Sequence, residues 1–166
     1  MTTVTSTYQN IFEWGLSTLS AYDSTFVNVG SLTIHDSSFT RSTFQFANVS
    51  TAFISSGALT VSGCTISGAG TLFDLQSNSN NVQVNSSNLW SSLNVSNAST
   101  GYVVINRSPY DASMAGNYWG DALEAVTSFN ALSGQPVYRL SNFIYDVYKD
   151  ATLGEVIYSP WSLTVR

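Results

Sequence analysis

An eight-residue pattern recurs four times along the chain, as LTIHDSSF from Leu32, LTVSGCTI from Leu59, VQVNSSNL from Val82 and VVINRSPY from Val103, with starts 27, 23 and 21 residues apart. In every copy the first, third and eighth positions are apolar or aromatic: Leu32, Ile34 and Phe39; Leu59, Val61 and Ile66; Val82, Val84 and Leu89; Val103, Ile105 and Tyr110. A period of two followed by a step of five describes a strand, a corner and a second strand. The sixth position is always small (Ser37, Cys64, Ser87, Ser108), as a tight corner demands. Further short apolar strands follow the first three copies at Phe44–Phe46, Leu72–Leu75 and Leu93–Val95, and an earlier imperfect version lies in Thr25–Val29.

A unit this short cannot bury its apolar side alone, so equivalent units must stack, each strand pairing with the same strand one coil away. The expected fold is therefore all-β: a right-handed parallel β-helix, a short solenoid of three-strand coils. Residues 16–113 would form the coils of a single domain spanning 1–166, with an N-terminal edge at 1–15 and a capping segment at 114–166. The fourth octad position (His35, Ser62, Asn85, Asn106) falls at the corner, where Asn85 over Asn106 would form a short structural amide ladder. His35 reads there as a corner side chain with one hydrogen bond, and Cys64 as a small buried residue.

These octads resemble the repeat unit of right-handed parallel β-helix proteins of the pectin-lyase-like superfamily. The chain's last third adds three elements in order, GNYWG (Gly116–Gly120), IYDVYKD (Ile144–Asp150) and LGEVIYSPW (Leu153–Trp161), similar to the end segment of many such proteins. The resemblance implies a cap containing one or two short helices that covers the last coil. Asp121 and Glu124 are spaced as a capping box, predicting a helix that Gly134 stops. Ser141 or Asn142 begins a second, with Phe143, Ile144, Val147 and Tyr148 on one face and Asp146, Lys149 and Asp150 on the other, ending at Gly154. A last strand is read at Val156–Tyr158.

The superfamily includes polysaccharide lyases and glycoside hydrolases, and glycosidic cleavage takes two converging carboxyl groups. The solenoid body offers only Asp23, Asp36 and Asp74, none near another in sequence. Arg107-Ser108-Pro109 is similar to the Arg-x-Pro of pectate lyases, without a calcium carboxylate cluster beside it. No catalytic residue is assigned, and the chain is expected not to be an enzyme; a polysaccharide-active enzyme or a degenerate relative is the alternative. A glycan-binding module is a further alternative, with Trp90, Trp119, Trp161 and Arg107 as possible contacts. Asp146 and Asp150, four apart, read as a solvated helix face rather than a cation site, and one cysteine with one histidine makes no zinc cluster. No metal and no cofactor is expected.

Only 9 % of the 166 residues are charged and the net charge is −5, against roughly 25 % charged in an ordinary domain. Five basic residues cannot neutralise a row of phosphates, which excludes nucleic acid as a partner, and no apolar run is long enough for membrane insertion. The start lacks the basic and apolar regions of a secretory leader. Sequons at Asn48, Asn94 and Asn97 are possible glycosylation sites. The expected role is a structural or adhesive module at a cell surface, in an appendage or on a virion exterior. Its uncapped edge near Thr2–Trp14 is expected to meet another copy or a larger assembly, with a glycan as possible receptor.

Overall fold

The protein is described from a computed structural model, covering residues 7–9, 14–15, 18–93, 101–120, 123–124 and 138–158. It is a parallel β-solenoid. The strands are β1 (Thr7–Gln9), β2 (Trp14–Gly15), β3 (Ser20–Tyr22), β4 (Thr25–Val29), β5 (Leu32–Thr40), β6 (Thr43–Ser62), β7 (Thr65–Leu75) and β8 (Val82–Asn85). They continue as β9 (Asn88–Ser91), β10 (Val104–Asn106), β11 (Ala112–Ser113), β12 (Leu123–Glu124), β13 (Tyr138–Arg139), β14 (Ile144–Tyr145) and β15 (Val156–Ile157).

Three faces follow from the pairing. The first stacks β1, β4, the start of β6, the start of β7 and β9. The second stacks β2, the start of β5, the middle of β6, the end of β7, β10 and β14. The third stacks β3, the end of β5, the end of β6, β8, β11 and β15. The 20-residue β6 runs through all three faces, and register shifts at Gln45/Val49 and at His35/Ser37 of β5 mark where the chain turns.

The first three octads fold as strand, corner and strand, but not all at the same corner; in the fourth, Val104 rather than Ile105 turns inward beside Phe73, and Tyr110 is exposed and outside any strand. Leu59 pairs with Val82, so the second and third copies are true neighbours, running from the third face onto the first. The first and fourth copies run from the second face toward the third, because Leu32 pairs with Phe53 and Val104 with Phe73. Every corner of the coil calls for the same local alternation, so the pattern cannot say which corner it serves. Asn85 and Asn106 consequently do not stack: Asn85 Oδ1 accepts from Ser62 Oγ at 2.9 Å, whereas Asn106 lies beside Leu75 and donates to the Tyr110 and Gly154 carbonyls at 3.0 Å.

Inside, like residues stack as predicted. Tyr8, Phe26 and Phe44 are in parallel ring contact at 4.8 and 4.5 Å, and the row continues to Ile66 and Leu89. Phe53 lies among Phe39, Phe44, Phe46 and Phe73, with ring centroids between 5.2 and 5.7 Å away. Aromatic pairs of this kind contribute about 0.5–1.5 kcal/mol each beyond the area they bury.

A polar column closes the corner between the third and first faces. Asp23, Arg41, Gly63, Ser86 and Gly116 all have positive φ there, each followed by Ser24, Ser42, Cys64, Ser87 or Asn117. The Ser24 N–H donates to Ser42 Oγ at 3.2 Å, Ser42 N–H to Cys64 Sγ at 3.5 Å, Cys64 N–H to Ser87 Oγ at 3.1 Å and Ser87 N–H to Asn117 Oδ1 at 2.9 Å. Each hydroxyl or thiol donates in turn to the carbonyl two residues back in its own coil. Turning the strand out of one sheet plane leaves an orphaned amide, and the side chain of the next coil satisfies it. Cys64 and Ser87 thus fill the small-residue role read from the sequence, while Ser37 and Ser108 serve another corner: Leu19 N–H donates to Ser37 Oγ at 3.0 Å and Ser108 Oγ donates to the Ser79 carbonyl.

The C-terminal helices are corrected. Leu123–Glu124 is β12, paired in parallel with β13, so its backbone is spent on a sheet rather than on a first helical turn; residues 121–122 and 125–137 lie outside the described ones. The second predicted helix is only a 3-10 turn at Leu140–Phe143, after which Ile144 joins Val104 in β14. Asp146, assigned to the solvated side, is buried and accepts from Tyr148 N–H at 3.1 Å and Val156 N–H at 3.0 Å. The apolar spacing from Phe143 to Tyr148 arises from a strand and a tight turn in succession, and Tyr148 itself is 77 % exposed. The strand read at Val156–Tyr158 is present as β15. Of the strand read at Leu93–Val95, Leu93 stands outside β9, which ends at Ser91, and Asn94 and Val95 lie outside the described residues.

Candidate functional site

Three small charged groups stand on the outer surface of the coils. Arg41 makes a two-pronged pair with Asp23, at 2.8 and 2.7 Å, and its guanidinium carbon lies 4.0 Å from the Tyr22 ring centroid. Arg107 pairs with Asp74 at 2.8 and 3.3 Å, and hydrogen bonding to that carboxylate pushes the guanidinium pKa further up. The third group is His35 with Asp36 at 3.0 Å on one ring nitrogen and Ser56 at 2.9 Å on the other. His35 therefore has two polar partners rather than the one expected. The solenoid carboxylates do not converge: Asp23 and Asp36 are at different corners and Asp74 is on the second face between Ile54 and Ile105. Arg107 is brought to one carboxylate, as a structural ion pair on the surface.

Two of the faces carry outward rows of neutral hydrogen-bonding groups. On the first, Thr7, Thr25, Thr43 and Thr65 are in register, and beside them run Val27, Gln45, Ser67 and Trp90, Val27 being the apolar member of the row. On the third, Ser20, Ser38, Thr60, Gln83 and Ser113 form one row, with Tyr22, Thr40, Ser62 and Asn85 alongside. Alternation along each strand sends the intervening residues to the core, so these rows are the necessary outer counterpart of the aromatic columns. Neighbouring rungs are about 4.8 Å apart and alternate residues on a strand about 6.6 Å apart.

The two tryptophans whose side chains are described, Trp90 and Trp119, do not form an exposed platform. Trp119 is buried with its indole N–H unpartnered among the described residues, Trp90 is half-buried with its ring edge-on to Tyr118 at 5.9 Å, and Trp161 lies outside the described residues. Asn48 is exposed at a positive-φ corner between the first and second faces. Asn94 and Asn97 lie outside the described residues. Burial pushes the Cys64 thiol up, consistent with a corner filler rather than a nucleophile. Among the described residues no three His, Cys, Asp or Glu side chains are grouped to hold a metal. Asp150 spends its carboxylate on Thr152 N–H and Oγ1, which holds its pKa low, so it does not converge with the buried Asp146.

At the C-terminal end a cleft of about 410 Å³ is bounded by Ile144, Asp146, Tyr148, Lys149, Glu155 and Ile157. Tyr148 Oη donates to Glu155 there at 3.2 Å, which raises the phenol pKa. Sequence reasoning missed Ser56, Ser42 and Asn117. For the last two the available signal was a small or amide residue directly after each corner residue, as in Asp23-Ser24, Arg41-Ser42 and Gly116-Asn117. Comparison of the chain with family models, curated proteins and solved structures finds no match.

Proposed function

We propose that the protein is a structural, adhesive surface module, distantly akin to the pectin-lyase-like β-helices, which works outside a cell or on a virion. The carrying observation is the pair of in-register outward arrays, whose members include no acid or base. A single exchanged hydrogen bond contributes only about 0.5–1.5 kcal/mol. An array at constant spacing sums many of them against a partner that is itself periodic and hydroxyl-rich, such as a neutral polysaccharide. What speaks for binding rather than glycosidic cleavage is that Asp74 is committed to Arg107 and Asp23 to Arg41. In the same reading β1 and β2, which among the described residues pair on one side only, meet a further copy or assembly component. Sedimentation as a particle larger than one chain checks that contact.

Retention on insoluble neutral polysaccharide is expected, and it should persist in high salt because no charge pair holds it. The double substitution Thr43→Arg with Thr60→Arg, one on each array, should abolish retention while leaving the fold intact. Release by salt, or retention unaffected by both arginines, would overturn the reading.

A further inference from the structure

We infer that Ser56, His35 and Asp36 form a nucleophilic serine site for short acyl esters. The inference is independent of the adhesive role. Asp36 is acceptor-only when ionised, so the 3.0 Å contact with His35 Nε2 places the ring proton on Nε2. That leaves Nδ1 as a lone pair facing Ser56 Oγ at 2.9 Å, where the hydroxyl donates; its other acceptor, the Ile34 carbonyl, is further off at 3.4 Å. The order hydroxyl, imidazole, carboxylate is that of a serine triad, with the two ring nitrogens exchanged in role.

Three features hold the group in place. Asp36 Oδ1 accepts from Ala58 N–H at 2.8 Å, which leaves the second oxygen for the ring. The chain at Asp36 has φ of 48°, the same kind of corner turn as at Asp23 and Arg41, and this turn is what brings the carboxylate back over the neighbouring imidazole. Gly57, also at positive φ, lies directly against the ring: a Cβ there would stand 2.8 Å from His35 Cε1 and 2.9 Å from Nδ1, and would overlap Asp36 Oδ1. Only glycine admits the imidazole this close to the backbone of β6. The pairing of His35 with Ser56 is itself a register position of β5 on β6, so the solenoid stacking brings serine and histidine together across 21 residues.

In the reaction Ser56 Oγ attacks the ester carbonyl carbon while its proton passes to His35 Nδ1, and the carbonyl electron pair moves to oxygen. Collapse expels the alkoxide, which takes the proton back from Nδ1. Water then repeats the sequence on the acyl-serine, releasing the carboxylic acid and restoring Ser56. Gln76 is held next to this rung by its N–H on the Ser55 carbonyl, and its side-chain amide, which makes a long 3.5 Å contact with the Asp74 carbonyl, is the group that would turn to meet the developing negative charge. The side chains of His35 and Asp36 are 45 % and 55 % exposed, so the site sits on an open face that suits a short acyl group on an accessible alcohol, such as an acetate ester.

The test treats the intact chain with a fluorophosphonate, maps the adduct by mass spectrometry, and follows p-nitrophenyl acetate hydrolysis in parallel. The expected result is a single adduct on Ser56, absent in Ser56→Ala and formed about 100-fold more slowly in His35→Ala, the lower end of what a general base contributes. Asp36→Asn keeps an acceptor for Ala58 N–H, so it should slow labelling without lowering the thermal midpoint, which separates positioning of the ring from support of the fold. Circular dichroism confirms that each variant keeps its sheet. An unlabelled wild-type chain, an adduct elsewhere, or labelling undiminished in folded His35→Ala overturns the site.

Discussion

Phe53→Ala should destabilise the protein by about 3–5 kcal/mol, the range for truncating a fully buried phenylalanine. Phe53 is 0 % exposed, and its ring is the one through which the aromatic columns of the three faces touch: Phe44 and Phe46 from the first, Phe73 from the second, Phe39 from the third. A cavity at this position borders all three sheets and cannot be closed by shifting one of them. Urea denaturation followed by far-UV circular dichroism measures the change. Phe53→Leu, which refills most of the volume, should recover more than half of it, and an equal loss in both variants would argue for a specific ring contribution instead of packing.

Asn117→Ala is expected to cost about 3–9 kcal/mol, a large share of a typical domain's stability of about 5–15 kcal/mol. Its side chain accepts from Ser87 N–H at 2.9 Å and donates to the Val84 and Met114 carbonyls at 2.8 and 2.7 Å, all inside the structure. Alanine orphans one buried donor and two buried acceptors together, and each orphan costs about 1–3 kcal/mol. Asn117→Asp preserves the acceptor while removing both donors and burying a charge, so it should be no better than alanine at neutral pH. Cys64→Ser in the same column is the control: Ser42 and Ser87 already fill equivalent rungs, and the change should stay within about 1 kcal/mol. The same denaturation midpoints decide both cases. A mild Asn117→Ala would mean that the corner amide finds water instead.

The stacked strands were legible in the chain because an apolar residue at every second position has one physical meaning in a sheet, and the columns through Phe44, Ile66 and Leu89 carry it out. Which face each octad occupies was not legible. Leu32 and Leu59 begin octads of the same apolar pattern yet stand on different faces, since a local pattern encodes a corner and only the length of chain between corners assigns it. Coil lengths vary from 18 residues between Ser24 and Ser42 to 30 between Ser87 and Asn117, so no fixed period reveals the alignment. The second predicted helix failed for a related reason. Ile144 and Asp146 fit helical spacing, but helical spacing cannot express that Ile144 would be claimed by β10 and Asp146 by the N–H of Val156. Ser56 was invisible for the same reason that makes it interesting: its relation to His35 exists only across the stacking direction.

The corner column makes length an adjustable quantity in this architecture. Each coil presents an amide that needs an acceptor and offers a small side chain that supplies one, so the upper and lower surfaces of a coil are matched as donor and receiver. A stack built on such a rule can gain or lose a whole rung without redesigning any other. Among the described residues the column runs as far as Asn117, which takes the Ser87 amide as Ser87 takes that of Cys64, so the rule holds even where a side-chain amide replaces the hydroxyl.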